Sequence, residues 1–281
     1  MRDKLCDLHT HSDYSDGTCA PGELIRLAEE AGLSAVALCD HNTVKGLPEF
    51  LEAAEESTVE AVPGIEFSTE YRGKELHILG LFVKPEHYAA VNELLEQALQ
   101  RKEQSNLALV ERLKEQGLPL NYWAIKAETP GGSVNRAVIG AYLVKCGFCD
   151  SVKEAFHRWL SLERGFYVPP KRPEAYDVIR FIKSIGAAAV LAHPFLNLDE
   201  SELREFLAHA EGLDGMEVYY PRFTGEQTAL ACEIAEEYGL IKSGGSDFHG
   251  ANKPDIRMGV GTGSLRVSMN CLEELRNRIK V

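Results

Sequence analysis

Two histidines stand two residues apart near the start of the chain, in Leu8-His9-Thr10-His11. On a strand, residues two apart point to the same face, so the two imidazoles would project together. Imidazole is a common ligand of first-row metal ions. A pair of this spacing also arises by chance in loops, so its meaning depends on what other ligand types occur at comparable places.

Two more histidines come directly after runs of apolar residues. His41 stands two residues beyond the run 35–39, and His193 follows the run 187–192. Apolar runs of this length are typical of strands buried on both faces. In barrels of parallel strands, active sites lie at the carboxyl ends of the strands. These histidines are therefore predicted to lie at one end of a barrel.

Six of the nine histidines share this position at or near predicted strand ends, and three carboxylates accompany them. Single members have ordinary alternatives, since Asp16 could belong to a Ser-Asp-Gly turn and His77 could be a core histidine. Together they predict a metal centre, because Zn²⁺, Mn²⁺ and Fe²⁺ favour mixed imidazole and carboxylate ligands. Nine ligands suit two or three divalent ions. The predicted ligands are His9, His11, Asp16, His41, Glu66, His77, His193, Asp247 and His249.

The segments that would position these ligands alternate between strand and helix patterns. This repeated order predicts an α/β fold in which parallel strands, joined by helical crossovers, close or nearly close into a barrel. The predicted strands are 5–11, 35–39, 59–67, 76–83, 187–192, 216–220 and 240–243, and the predicted helices around them are 21–31, 43–56, 174–185, 200–210 and 224–238.

The segment from 84 to 168 is different, because helical patterns dominate it and strand patterns are scarce. Its length exceeds the dozen or so residues that a crossover needs, although a pair of crossover helices is the alternative. We therefore expect a barrel domain formed by 1–83 and 169–281, which carries the metal site. We expect 84–168 to be an inserted helical domain that lies over this site as a substrate-binding lid.

The composition restricts the partners and the location. The formal net charge of −13 disfavours duplex nucleic acid, whereas a small phosphate ester or one strand end in a local basic pocket is compatible with it. No signal peptide and no run of ~20 apolar residues is visible, so no membrane partner is expected. Seven irregularly spaced cysteines predict reduced thiols in a cytoplasmic protein. The lone C-x-x-C of Cys146 and Cys149 does not decide between a redox role, a zinc site and neither.

The motifs, in their order along nearly the whole chain, closely resemble the polymerase and histidinol phosphatase (PHP) superfamily. The helical segment, with Ser151 to Phe156 and then Tyr167-Val168-Pro169, resembles the branch that acts on nucleoside monophosphates, nucleoside bisphosphates or short RNA from its 5′ end. The resemblance implies a distorted seven-stranded barrel with a trinuclear metal site. The motifs are His9-x-His11, Ser15-Asp16-Gly17, Asp40-His41-Asn42, Gly64-Ile65-Glu66, His77, Ala192-His193-Pro194 and Gly245-Ser246-Asp247-Phe248-His249-Gly250.

The resemblance also implies how the ligands are shared among the ions. Glu66 would be the bridging carboxylate, and Asp40 would orient an imidazole instead of binding metal. One ion would be held by His9, His11, Glu66 and Asp247, a second by Glu66, His77 and His193, and a third by Asp16, His41 and His249.

The sequence departs from that branch at one place. Where the branch has Arg-Pro-His-Ile-Ala, this chain has Arg136-Ala137-Val138-Ile139-Gly140, which keeps the arginine and loses the proline and the histidine. The metal chemistry is unaffected, whereas the exact substrate is left open. Arg136 and Lys171 are our candidates for binding the phosphate, and a solvated surface charge is the alternative for each.

These expectations converge on a metal-dependent phosphoesterase that hydrolyses a nucleotide phosphate ester with a metal-activated hydroxide. Glu66 would take part as the bridging ligand, and His193 or His249 could assist the leaving oxygen. Three alternatives share the metal core: a histidinol-phosphate phosphatase, an exonuclease module of a polymerase or repair protein, and a non-catalytic metal-binding module. The complete set of nine ligands argues against the last of these.

Overall fold

The structure, a computed structural model, describes residues 4–129 and 133–279. Its strands are β1 Leu5–Thr10, β2 Ala35–Leu38, β3 Glu60–Tyr71, β4 Lys74–Leu81, β5 Ala188–Leu191, β6 Gly215–Tyr219, β7 Ile241–Gly244 and β8 Val267–Ser268. Its α-helices are α1 Pro21–Glu30, α2 Leu47–Ala53, α3 Tyr88–Glu115, α4 Tyr122–Glu128, α5 Arg136–Lys145, α6 Val152–Ala155, α7 Ala175–Ser184, α8 Glu200–Leu207, α9 Gly225–Glu237 and α10 Met269–Arg278.

The strands form one sheet in the order β7-β6-β5-β4-β3-β2-β1-β8, which is nearly closed into a barrel. Two backbone hydrogen bonds join the end of β1 to the segment after β7. His11 N donates to the Phe248 carbonyl oxygen at 2.9 Å, and Asp247 N donates to that of His9 at 2.8 Å. The predicted α/β barrel is confirmed, and the short β8 adds an eighth strand beside β1.

Three strand pairs are antiparallel, which differs from the parallel arrangement that the β-then-α order predicts. β3 and β4 form a hairpin whose turn residues, Arg72 and Gly73, have φ values of 51° and 77°. Two residues are too few for a crossover but suffice for a tight turn. The pairs β4–β5 and β1–β8 are also antiparallel, and the other four pairs are parallel.

The barrel core consists of small and branched apolar side chains. Cys6 and Leu8 of β1, Leu79 of β4 and Val190 of β5 are fully buried in one cluster that includes Leu272 of α10. Burying a large aliphatic side chain contributes roughly 1.5–3 kcal/mol. This core holds in place the strand ends that carry the predicted ligands.

The chain divides into two compact units. The barrel unit comprises Met1–Asn92 and Arg172–Val281, and the helical unit comprises Glu93–Lys171. Within the helical unit, Leu109, Ile125, Ile139 and Leu160 belong to a separate apolar core. The described residues of this unit contain no strand, as the sequence predicts. None of the described helices is long and apolar enough to cross a membrane.

Helix α2 is shorter than the predicted helix 43–56. It begins at Leu47, with Pro48 in its first turn. Proline lacks a backbone N–H and clashes with the carbonyl group four residues earlier, so it is tolerated at the start of a helix and not inside one. Residues 40–46 are therefore free to form the loop that carries His41.

Candidate metal centre

The structure brings all nine predicted ligands together at one end of the barrel sheet. His9 is on β1 and His11 just beyond it, Glu66 is on β3 and His77 is on β4. The others follow strands in loops, with Asp16 after β1, His41 after β2, His193 after β5, and both Asp247 and His249 after β7. Four overlapping groups have ligand atoms within 4.8 Å of one another: His11, Asp16, His41 and His249; His9, Glu66 and His193; His9, His11 and Asp247; and His41, Glu66 and His77.

Glu66 lies at the centre of this cluster and is completely buried. Its Oε1 lies 2.7 Å from His77 Nδ1 and 3.1 Å from His193 Nε2. Its Oε2 lies 3.3 Å from both His9 Nε2 and His11 Nε2. The two oxygens therefore face two different sets of imidazoles, which is the arrangement that a bridging carboxylate needs.

A second set of contacts surrounds Asp16. Its Oδ1 lies 3.1 Å from His249 Nε2, and its Oδ2 lies 3.7 Å from His41 Nε2. His249 Nδ1 lies 2.8 Å from the Asp247 carbonyl oxygen. A hydrogen bond there places the proton on Nδ1 and leaves the Nε2 lone pair free for a metal ion.

The contacts within the cluster fit metal ions better than hydrogen bonds. The Nε2 atoms of His9 and His11 are only 3.0 Å apart. Both nitrogens can therefore be ligands of the same metal ion. His11 Nδ1 is buried without a hydrogen-bond partner, and His41 Nδ1 and Glu66 Oε2, which lie 3.0 Å apart, do not form a hydrogen bond with each other. Buried polar atoms are nearly always paired, because an unpaired one costs free energy. Divalent ions among these atoms would supply the missing partners.

The electrostatics keep the carboxylates in the form that binds metal. Burial alone would raise the pKa of Glu66, but the charges of the surrounding imidazoles, His41 foremost, hold it well below its usual value. The pKa values of Asp16 and Asp247 are also held well below their usual range despite burial. Histidines, His41 foremost, act on Asp16, and Lys253 with neighbouring histidines acts on Asp247. Ligation requires such deprotonated groups.

The imidazoles respond differently to their surroundings. Burial and the neighbouring His249 lower the pKa of His11, which favours the neutral imidazole that binds metal. Burial would also lower the pKa of His77, but the charge of Glu66 outweighs it and raises the pKa to about 10. A bound divalent ion would take the place of the proton that Glu66 stabilises on His77.

Glu217 supports the cluster, a role that was not predicted from the sequence. Its Oε1 lies 3.0 Å from His9 Nδ1, and its Oε2 accepts a hydrogen bond from His193 N at 2.8 Å. Glu217 is completely buried in β6. A carboxylate inside the otherwise apolar segment 216–220 was the available signal, because such a group is buried only with partners.

Asp7 is a second supporting residue that was not predicted from the sequence. It accepts hydrogen bonds from Ser246 N at 2.8 Å and Gly259 N at 2.7 Å. Next to this contact, a Cβ on Gly245 would lie 2.5 Å from the backbone nitrogen of His9, so only glycine fits there. Asp7 and Gly245 thus fix the loop that carries Asp247 against β1.

Asp40 was expected to orient an imidazole, but the structure shows that its carboxylate binds a loop instead. Its Oδ1 accepts hydrogen bonds from Ser12 N at 2.8 Å and Ser15 Oγ at 2.6 Å, and its Oδ2 accepts one from Ser12 Oγ at 2.5 Å. These bonds shape the turn between His11 and Asp16. Short hydroxyl side chains inside that turn bring the donors within reach of the carboxylate.

Three residues of the site have a backbone conformation that L-amino acids rarely adopt. The φ values are 52° for Asn42, 28° for His193 and 55° for Asp247. Such residues cost of order 1–3 kcal/mol each and are concentrated at functional sites. The strain is tolerated where hydrogen bonds such as that between His193 N and Glu217 fix the backbone.

Cationic groups in the barrel unit lie close to the ligands. Lys253 Nζ lies 2.6 Å from Asp247 Oδ2, the oxygen that also accepts a hydrogen bond from Tyr220 at 2.8 Å. Arg172 is 2.8 Å from Glu75, whose other oxygen is 3.2 Å from His77 Nε2. Neither cation could be assigned to the site from the sequence, because their proximity to the ligands depends on the fold.

The two predicted phosphate-binding residues lie in the helical unit. The Arg136 guanidinium lies 4.2 Å from the centre of the Tyr167 ring and donates a hydrogen bond to the Leu160 carbonyl oxygen at 3.3 Å. Lys171 is exposed at the end of the same unit. Their roles stay predictions.

The fold and the site together define a metal-dependent phosphoesterase. Residues 7–168 match the PHP domain family, and the chain belongs to this family. It is an enzyme that hydrolyses phosphoric esters. A protein from Bifidobacterium adolescentis described as a metal-dependent phosphoesterase has the same fold, with a TM-score of 0.86, 28% identity, and coverage of 98% of this chain and 96% of that chain.

Two relatives show the range of substrates among similar proteins. The chain is 34% identical to the 5′-3′ exoribonuclease of Haemophilus influenzae over 249 residues, which cover 88% of this chain and 90% of the relative. It is 32% identical to the phosphoribosyl 1,2-cyclic phosphate 1,2-diphosphodiesterase of Eggerthella lenta over 253 residues, with coverage of 87% and 94%. One relative acts on RNA and the other on a sugar phosphate, so similarity alone does not choose between these substrates.

Proposed function

We propose that this protein hydrolyses a phosphate ester of a nucleotide: a nucleoside monophosphate, a 3′,5′-bisphosphate or the 5′-phosphorylated end of short RNA. The observation that carries the proposal is the central position of Glu66, whose two oxygens face different imidazoles of one buried cluster. Ligands concentrated in this way can hold the divalent ions that many phosphate ester hydrolases use near neutral pH. The similarity to an exoribonuclease supports a nucleotide as substrate.

The cluster would hold two or three divalent ions, with Mn²⁺, Zn²⁺ and Fe²⁺ as the candidates for its mixed ligands. When bound, the ions activate water and neutralise phosphate oxygens. The chain itself supplies the placement of each ligand. Glu217 holds His9, and Tyr220 and Lys253 hold one oxygen of Asp247 while the other faces His9 and His11 at 3.8 and 3.3 Å.

Residues around the cluster would bind and orient the substrate. Lys253 and Arg172 are partly exposed cations beside ligands of the barrel unit, so they can approach phosphate oxygens. Arg136 and Lys171 of the helical unit stay candidates for the same task. His193 or His249 would assist the leaving oxygen, and both remain proposed ligands as well.

The principal alternative substrate is a phosphate ester without a nucleobase. The similarity to a phosphoribosyl cyclic phosphate diesterase favours this alternative. Histidinol phosphate belongs to the same group of rivals. Turnover should be measured on adenosine 5′-monophosphate, adenosine 3′,5′-bisphosphate, 5′-phosphorylated and 5′-hydroxyl oligoribonucleotides, a phosphoribosyl cyclic phosphate and histidinol phosphate. We expect the highest kcat/KM on a nucleotide or on RNA with a 5′-phosphate. A preference for histidinol phosphate or the base-free ester would refute the proposal.

A further inference from the structure

A row of aromatic rings leads away from the metal-binding cluster within the barrel unit. The ring of Tyr220 lies 5.3 Å from that of His193, and the ring of Phe223 lies 5.1 Å from that of Tyr220. The ring of Phe195 lies 5.4 Å from that of Phe223. We call Tyr220, Phe223 and Phe195 the aromatic row.

The row begins inside the protein and ends at its surface. Tyr220 is buried, and its hydroxyl donates to Asp247 Oδ2 at 2.8 Å, so its ring is fixed by the site. Phe195 and Phe223 are only half-buried. Phe195 belongs to the turn Pro194–Leu196 after β5, and Phe223 follows β6, so both lie in loops at the strand ends that carry the ligands.

The backbone also holds the two half-buried rings in place. Phe223 N donates a hydrogen bond to the Tyr220 carbonyl oxygen at 3.1 Å, and Leu196 N, next to Phe195, donates to that of His193 at 3.1 Å. Two phenylalanines without polar atoms are thus presented partly to solvent by short turns. Aromatic faces held in this way are platforms for stacking a planar ligand.

From these contacts we propose that Phe195 and Phe223 form the subsite that binds the nucleobase of the substrate. This inference rests on the proposed function, because the phosphate of the same substrate would lie at the metal centre. Two successive ring contacts, of 5.3 and 5.1 Å, connect His193 to Phe223 through Tyr220, so the aromatic row starts at the metal-binding cluster. Every base has a π-face, so stacking here selects for the presence of a base and not for its identity.

The test compares two substrates that share a sugar and a phosphate. Adenosine 5′-monophosphate and ribose 5-phosphate differ by the base, and both are assayed with Phe195→Leu, Phe223→Leu and the double variant. We expect KM for the nucleotide to rise about tenfold in the double variant, the scale of losing one stacked base, while kcat stays within about twofold. Neither constant should change for ribose 5-phosphate.

Two controls separate stacking from packing. Phe181→Leu removes a half-buried ring from α7, where it contacts Phe67, and should leave both substrates unaffected. Phe223→Tyr keeps an aromatic face and should retain the wild-type KM. An equal loss on both substrates, or no loss on the nucleotide, overturns the inference.

Binding gives a readout that does not depend on turnover. The riboside of 2-aminopurine has no phosphate to be hydrolysed, and stacking quenches its fluorescence. The wild-type protein and Phe181→Leu should quench it, and the double variant should bind it about tenfold more weakly. Equal binding by all three proteins would contradict a base subsite.

The wild-type protein separates this inference from the function on which it rests. If it turns over ribose 5-phosphate as efficiently as the nucleotide, the proposed function itself is wrong, and no base subsite exists. If it prefers the nucleotide and the double variant keeps that preference, the function stands and only the aromatic subsite is refuted.

Discussion

The carboxylate of Glu217 lies 3.0 Å from Nδ1 of His9, and neither side chain is exposed to solvent. This contact fixes the imidazole so that Nε2 faces Glu66 at 3.3 Å. The negative charge also opposes the effect of burial and raises the pKa of His9 well above its usual value. A metal ion in place of that proton would experience the same attraction, so Glu217 strengthens a ligand that it does not replace.

Glu217→Gln should weaken metal binding by about 10- to 100-fold, because the amide keeps the shape but loses the charge that orients and polarises His9. Metal titration followed by calorimetry measures the effect. Glu226→Gln, an exposed position on α9, is the matched control and should bind metal as the wild type does. Unchanged affinity in Glu217→Gln would show that the contact serves folding alone.

Glu66→Gln should abolish turnover and leave the fold largely intact. A bridging carboxylate neutralises two ions, and a neutral amide cannot do so. Activity, metal content by mass spectrometry and the circular dichroism spectrum are the measurements. Glu60→Gln, on the exposed part of the same strand, controls for the substitution itself. Wild-type activity with full metal content in Glu66→Gln would disprove the bridging role.

Removing the metals should abolish activity and lower the melting temperature by at least about 5 °C. Ions that bind only the folded state stabilise it, and their loss leaves the buried atom His11 Nδ1 without a partner. Dialysis against a chelator, followed by separate return of Mn²⁺, Zn²⁺ and Fe²⁺, tests this and ranks the metals. Anomalous scattering from crystals of the reloaded protein would count the ions. A chelated protein that melts and reacts like the untreated one would exclude a metal centre.

Arg136→Ala should raise KM, or lower kcat/KM, by about tenfold or more if the guanidinium binds substrate, since one charge-assisted contact is worth roughly 1.5–3 kcal/mol. Metal content should not change. The contacts of Arg136 with Tyr167 and Leu160 define the competing outcome. A lower melting temperature with unchanged kinetics would make it a packing residue of the helical unit and leave Lys171 as the candidate.

The sequence was informative about this site because its ligands are rare residue types in a recurrent position. His41 and His193 could be placed at strand ends from the apolar runs before them, and the structure brings both to Glu66. The supporting residues were harder to find. The role of Asp7 depends on its contact with Ser246, which is 239 residues away in the sequence. No local sequence pattern predicts such a contact.

The fold shows the same division between local and distant information. Helices such as α7 and α9 follow from their local periodicity within a residue or two of the predicted bounds. The antiparallel direction of β4 followed from a two-residue turn that could have been recognised at Arg72-Gly73. The late start of α2 depended on Pro48, a local signal for the beginning of a helix that the periodicity of the surrounding residues obscured.

The hydrogen bonds between β1 and the loop after β7 have a consequence for how the protein is made. A ribosome synthesises His9 and His11 first, but Asp247 and His249 emerge more than two hundred residues later, as does Ser246, which Asp7 binds. The nascent chain therefore carries an incomplete ligand set throughout most of its synthesis. Metal binding would connect the two ends of the domain late in synthesis, as a cross-link between distant residues does. Closure of the barrel and hydrolysis would therefore begin only after the last strands are synthesised.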